Sequence, residues 1–370
     1  MADSIGRIWK GVTMMAFIWL VVAIAAAIWA VDFFYLRGES LAKFDSPKPA
    51  PKAAGPVASE EHHAVVASLA GITDVLKGVP RSEHIPLLRK HMDTMFASDD
   101  TAAQITPVSA GGVPAEWVMA PGVDPQRRFL YIHGGAFTMG SPVSHRRLTT
   151  KLSELADAAV LAIDYRLMPE HPRMAGVEDC RTSYRWILDN GPAGPQQNSP
   201  ASAVFVAGDS AGGNLTLSLI AWVRDQGLRP PNAAVALSPA TDSTFGSPSL
   251  KGNLETDPML GPLFKFLTKI PKSILLWFGW FQNRMRPCDP VISPSHGDLS
   301  GLPPVLVHAS DAEMLRDDSV RYVNRAVAHG SPVQLQTWSH VVHVWHIYHP
   351  QLAEGREALA EIGKFLRANS

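Results

Sequence analysis

Gly208-Asp209-Ser210-Ala211-Gly212-Gly213 constrains this chain more than any other stretch, because of what flanks it. Ala203 to Ala207 is short and apolar, as a buried strand is, and Asn214 to Arg224 has the pattern of a helix. The G-x-S-x-G spacing between them is that of a nucleophile elbow. Its glycines let the backbone approach closely, the Ser210 hydroxyl stands exposed, and the following amide points at a reacting carbon. An unaided serine is a poor nucleophile, so this reading requires a base, an orienting acid and donors for developing negative charge.

Candidates for all three are present. The apolar strand Arg128 to Ile132 ends in His133-Gly134-Gly135-Ala136-Phe137, a loop whose backbone N–H groups can bind an oxyanion. It lies about 75 residues before the elbow, which leaves room for a strand, a helix and a further strand. The oxyanion hole is assigned to Gly134, Gly135 and Ala211. Beyond the strand Val305 to His308, a loop carries Asp311 and Glu313, followed by Asp317 and Asp318. The latter pair also fits solvated charges at a helix N-terminus. After the strand Val333 to Thr337 come four histidines, His340, His343, His346 and His349. Imidazole titrates near neutrality, so one of them can take the serine proton and return it to a leaving group.

With these loops, further motifs make the chain resemble the hormone-sensitive-lipase-like branch of the α/β-hydrolases, which includes bacterial acetyl-esterase and lactone-hydrolase types. The motifs are Gly112-Val113-Pro114-Ala115-Glu116-Trp117, HGGAF with Gly140-Ser141-Pro142 and Ser144-His145-Arg146, Asp164 to Pro172, GDSAGGN, Ser238-Pro239 with Asp242, and Gly301-Leu302-Pro303-Pro304. The resemblance covers residues 60 to 370. It implies an α/β-hydrolase fold, a mostly parallel central sheet flanked by helices with a helical cap, and a triad in the chain order serine, acid, histidine. By its motif the acid is Glu313, ahead of Met314-Leu315, with Asp311 as the competitor, and the base is His343. His340, His346 and His349 are then expected at the rim or on a helix surface. Asp164, Tyr165 and Arg166 are expected to brace the site.

The implied activity is hydrolysis of short-to-medium acyl esters or lactones through an acyl-enzyme, without metal or organic cofactor. An acyltransferase or lipid or sterol deacylase would use the same triad with another acceptor or substrate. A metal-dependent hydrolase is the remote rival, since His343, His346 and His349 recur at helical spacing, but no H-E-x-x-H pattern accompanies them. The gibberellin receptors, binding modules that resemble the same family, typically lack the histidine retained here at 343.

A formal net charge of −1 offers no electrostatic basis for nucleic-acid binding. Cys180 and Cys288 match no metal spacing, and neither their pairing nor the oligomeric state can be read from them. The run from Gly11 to Val31 carries no charge and has about the 20 residues that span a bilayer. Residues 1–45 therefore read as a membrane anchor. Arg7 and Lys10 favour a cytoplasmic N-terminus and a catalytic domain on the other side, facing periplasm or ER lumen. The alternative is secretion after cleavage at the A-x-A of Ala25 to Ala27.

Residues 46–58, rich in proline, read as an extended spacer holding residues 59–370 off the membrane. Residues 60–100, with Val65, Leu69, Ile72, Val75 and Leu76 as apolar positions, read as a helical first cap. Thr106 to Val118, Val160 to Ile163 and Ala233 to Leu237 read as strands, and Glu178 to Asp189 as a helix. Residues 250–287 form a second cap. Its run Leu263 to Phe281 mixes large apolar side chains with Lys265, Lys269, Lys272, Arg284 and Arg286, fitting either a cover for the acyl pocket or a face that touches lipid.

Overall fold

Alternation is lost in the central strands because both sheet faces are covered, which is why they read as continuous apolar runs. The computed structural model describes residues 2–52, 58–69, 71, 74–96, 102–193 and 199–370, with side chains from residue 14 onward. Ile72 of the first cap, residues 53–57 of the proline-rich segment, and the side chains of Arg7, Trp9 and Lys10 lie outside the described residues.

Helix α1 (Ala2–Val31) ends in a π-helical turn over Asp32–Leu36. The first cap holds α2 (Glu60–Leu69) and α3 (His84–Phe96). Strands β1 (Gln104–Ala110) and β2 (Val113–Met119) form an antiparallel hairpin, followed by β3 (Arg127–Ile132), α4 (Pro142–Ala156), β4 (Ala159–Ile163) and α5 (Arg173–Asp189). Then come β5 (Ala203–Asp209), α6 (Ala211–Asp225) and β6 (Ala233–Leu237). The second cap contains α7 (Ser249–Gly252), α8 (Leu260–Phe264) and α9 (Lys272–Asn283). The chain closes with β7 (Val305–Ser310), α10 (Arg316–Ala328), β8 (Val333–Trp338) and α11 (Ala353–Ala368).

The eight strands run in the order β1-β2-β4-β3-β5-β6-β7-β8, with every pair from β4 onward parallel and β2 antiparallel to both its neighbours. This is the α/β-hydrolase fold. On one face Phe129, Tyr131, Phe205 and Val235 pack with Leu148 and Leu152 of α4 and Leu359 and Ile362 of α11. On the other, Leu130, Ile132, Val204 and Val206 pack with Tyr184 and Ile187 of α5 and Leu215 and Leu219 of α6. Helix α6 begins at Ala211, three residues before the expected Asn214, because the glycine pair of the elbow is itself helical.

The proline-rich segment does not act as a free spacer where it is described. Asn324 of α10 donates to the carbonyls of Phe44 and Pro47, each at 2.9 Å, and Arg321 pairs with Asp45 at 2.6 Å. Lys48 reaches Asp317 at 3.0 Å, and the Lys52 amide donates to Thr337 O at 2.7 Å beside β8. Charges within the segment find buried partners on the domain, so residues 36–52 lie along it instead of extending away.

Candidate active site

The elbow closes where β5 meets α6. A Cβ built on Gly212 would stand 1.9 Å from Ile132 O, and one on Gly208 would stand 2.4 Å from Gly212 O, so neither position has room for a side chain. Ser210 between them sits at φ 51°, ψ −112°, a conformation that costs an L-residue energy and persists only where its surroundings impose it. Here they do: the Ser210 amide donates to Leu237 O of β6 at 2.7 Å.

The acid and base arrive on the loops that follow β7 and β8. The His343 ring lies with Nε2 2.9 Å from Ser210 Oγ and Nδ1 2.5 Å from Glu313 Oε2. Glu313 is fully buried, and its other oxygen accepts the Ser310 amide at 2.8 Å. Burial alone would lower the His343 pKa, but the hydrogen bond and charge of Glu313 outweigh it and raise the pKa, with Asp257 and Asp209 adding to the effect. Asp311, two residues from Glu313, is half-buried and makes no bond to His343; its amide donates to Trp338 O at 2.9 Å.

Two further carboxylates hold this arrangement, and neither was singled out by sequence reasoning. Asp209 accepts from Tyr131 Oη at 2.6 Å and from the Gly134 amide at 2.9 Å, and lies 3.3 Å from His145 Nε2. Despite full burial its pKa is lowered, because His145 and Tyr131 favour the ionised form. Asp257, at the entrance to α8, accepts the Met314 amide at 2.8 Å, while Asn253 donates to Asp311 O and Glu313 O at 2.8 Å each. The second cap thus grips the loop that carries Glu313. Asp209 stood inside the elbow motif, directly after an apolar strand, and that position was the available signal; Asp257 had none.

The oxyanion assignment needs one correction. The Gly134 N–H is committed to Asp209, so it holds the loop and is not free for an oxyanion. Gly135, at φ 113°, makes the turn that follows, and Ala211 is the first residue of α6, where an N–H has no intrahelical partner. Tyr165 braces the loop by donating to His133 O at 3.0 Å, and Arg166 forms a paired contact with Asp179. The first cap joins in: Arg89 of α3 donates to Thr138 O at 2.7 Å and to Met168 O at 3.0 Å.

Three other expectations are overturned. Asp317 and Asp318 stand in the first turn of α10, yet both are buried rather than solvated. Asp317 accepts the Ser249 amide at 3.0 Å, and Asp318 accepts the amides of Thr241 and Asp242 at 2.8 and 3.0 Å. His346 is not at the surface: it is buried, with Nε2 3.0 Å from His308 Nδ1. His340 is exposed and His349 half-buried. His343 lies ahead of a 3-10 turn over Trp345–Tyr348, so His343, His346 and His349 do not share a helix face. Among the described residues no cluster of three metal-ligating side chains forms. Cys180 and Cys288 are buried free thiols.

Comparison with known proteins agrees with this architecture. Residues 129–347 match the family model described as alpha/beta hydrolase fold. The chain is 39% identical over 267 residues to an acetyl-hydrolase of Streptomyces hygroscopicus, covering 70% of this chain and 81% of that protein. It is 32% identical over 270 residues to the carboxylesterase/phospholipase LipF of Mycobacterium tuberculosis, covering 71% and 68%. Among solved structures, an esterase from the bacterial hormone-sensitive lipase family superposes with a TM-score of 0.72 at 33% identity, over 85% of this chain and 99% of that one. An esterase/lipase from an uncultured bacterium gives 0.70 at 35%, over 84% and 99%. The chain belongs to the hormone-sensitive-lipase-like branch of the α/β-hydrolases and is a carboxylic ester hydrolase.

Proposed function

We propose that this protein is a membrane-tethered serine carboxylesterase acting on short-to-medium acyl esters through an acyl-enzyme. The observation that carries the reading is the chain from Ser210 Oγ to His343 Nε2 at 2.9 Å and from His343 Nδ1 to Glu313 at 2.5 Å. Ser210 Oγ attacks the ester carbonyl carbon while its proton passes to His343 Nε2. The tetrahedral oxyanion is held by the N–H groups of Gly135 and Ala211. His343 then protonates the leaving alkoxide, the alcohol departs, and the acyl group stays on Ser210. Water, deprotonated by His343, attacks the acyl-serine by the same steps and releases the carboxylic acid. Glu313 holds the imidazole tautomer and stabilises the imidazolium.

The tether rests on a different observation. Met14–Leu36 has an apolar stretch of mean hydropathy 2.5, and residues 14–29 within it are exposed throughout, where a core helix would be buried. We assign it as a retained anchor that leaves the catalytic domain on the non-cytoplasmic side. The acetyl-hydrolase relative favours small acyl groups, and the word phospholipase in the name of LipF favours a lipid ester as the second reading.

Ser210→Ala should reduce hydrolysis of a short-chain ester by about four or more orders of magnitude with unchanged folding, because a triad acts as a unit. Mass spectrometry should find an organophosphate on Ser210 of the unmodified protein. Retained activity in the variant would refute the mechanism, and product analysis with an alcohol added separates hydrolysis from acyl transfer.

A further inference from the structure

The end of α1 and the second cap are joined. Asp32, buried at the start of the π turn, accepts from Arg37 Nε at 2.8 Å and from Ser273 Oγ of α9 at 3.2 Å, and Arg37 donates to the same Ser273 hydroxyl at 3.2 Å. Around this clasp the Tyr35 ring meets Trp280 edge-on at 6.2 Å, the Arg286 guanidinium lies 5.1 Å from the Tyr35 ring, and Leu36 is fully buried. A paired carboxylate at the end of a long apolar helix marks where that helix leaves hydrocarbon, since an ion pair there retains access to water. Helix α9 touches this point, so it lies at the depth of the membrane–water boundary.

Its outward face suits that depth. Ile274, Phe278 and Phe281 recur at helical spacing on one side of α9 and are 58, 62 and 62% exposed, and Phe266 just before it is 72% exposed. On the π turn Phe33 and Phe34 are exposed as well, so the apolar surface runs on from α1. Lys265, Lys269, Lys272, Arg284 and Arg286 flank it. Exposed large apolar side chains bordered by cations are what an interfacial helix presents to headgroups and acyl chains. The same cap reaches the chemistry, since Asn253 and Asp257 at its base hold the Glu313 loop.

We propose that the α8–α9 face is seated in the bilayer interface beside α1, and that the enzyme takes lipid-phase esters from there rather than esters dissolved in water. The chemistry rests on the serine-esterase reading above, and the seating rests on the anchor reading of α1. The occupant is a lipid surface because the face is continuous with a helix long and apolar enough to cross one.

Two measurements on the full chain in phosphatidylcholine–phosphatidylglycerol vesicles test it. A nitroxide attached through Phe278→Cys should be more accessible to oxygen than to a water-soluble nickel chelate; Cys180 and Cys288 are buried, and the unsubstituted protein controls for their labelling. Preferential access of the nickel chelate overturns the seating. So does spin–spin broadening that disappears on dilution with unlabelled protein, which would identify a second copy as the occupant. In the second measurement, Ile274, Phe278 and Phe281, all exposed, are replaced together by Ser. Hydrolysis of a dilauroylglycerol in the vesicles should fall by about tenfold or more, whereas p-nitrophenyl acetate hydrolysis should stay within about twofold. Equal loss on both substrates overturns the proposal in favour of a pocket cover. Activity that persists in Ser210→Ala sinks the esterase reading alone and leaves the nitroxide result standing.

Discussion

The Asp209 carboxylate accepts the Gly134 amide at 2.9 Å, so the residue before the nucleophile holds the first glycine of the oxyanion loop. Strand β5 and the loop after β3 are thereby fixed to each other beside Ser210. Asp209→Asn removes the charge opposite His145 while keeping the shape. Breaking a buried charge pair costs roughly 3 kcal/mol, so thermal unfolding should show a clear drop in Tm. Steady-state kinetics should show kcat falling more than KM rises. Unchanged Tm and kcat would mean that the loop is held by other contacts.

Glu313 raises the pKa of His343, and catalysis needs the imidazole neutral, so the acid limb of kcat/KM reports that raised value. Glu313→Gln should lower the rate by about three or four orders of magnitude and move the limb to lower pH. Asp311→Asn should leave the limb in place. A pH–rate profile of both variants decides, and a dead Asp311→Asn would put the acid two residues earlier.

Burial holds His133 and His308 neutral, each with its pKa pushed down to about 3, and His346 is also shifted well below the ordinary value. In the unfolded chain these groups protonate near pH 6.5, so the stability they confer is present above that value. It is lost as pH falls towards 3, at about 1.4 kcal/mol per pH unit for each histidine. His343 has the opposite sign: its raised pKa adds stability that is full below pH 6.5 and disappears as pH rises through the folded value. His349, pushed down to about 4, acts in the same direction as the three lowered groups, and the raised His343 and His145 contribute nothing to the slope below pH 6.5. Tm should therefore fall between pH 6.5 and 4.5, and calorimetry in buffers of different ionisation enthalpy should register proton uptake on unfolding in that range.

Asp318 is pushed up to about 7, first by burial and then by the neighbouring Asp242. A folded pKa above the unfolded one means stability that is full below pH 4 and lost as pH rises through 7. In Asp318→Asn the amide oxygen can still accept from Thr241 and Asp242, and the Ser247 hydroxyl can turn to accept. The variant should gain more Tm at pH 8 than at pH 5. Denaturation at the two pH values checks this, and a loss at both would show that the carboxylate is needed ionised.

The elbow and the loop from His133 to Phe137 were legible because their demands are local: a backbone turn that only small residues permit leaves a fixed spacing in the sequence. Resemblance distinguished Glu313 from Asp311, which spacing did not, and in the structure Glu313 is the one that meets His343. What could not be read were charges whose burial depends on distant partners. Asp317 is buried by Ser249 and Lys48, and Asp318 by a loop some seventy residues upstream. The segment around Lys48 carries the composition of a free linker, and its docking depends on Asn324 and Arg321 of α10, which no local pattern connects to it.

Strand β8 ends the sheet, and an edge strand left bare is a template for pairing with another chain. The Lys52 amide, bonded to Thr337 O, occupies part of that edge, and Leu36 and Leu41 fill apolar sites on the domain just upstream. A soluble catalytic unit prepared by cutting at residue 58 would therefore carry an uncapped strand and two emptied hydrophobic sockets. It should form aggregates that a version beginning near residue 32, freed of α1 but keeping this strap, does not.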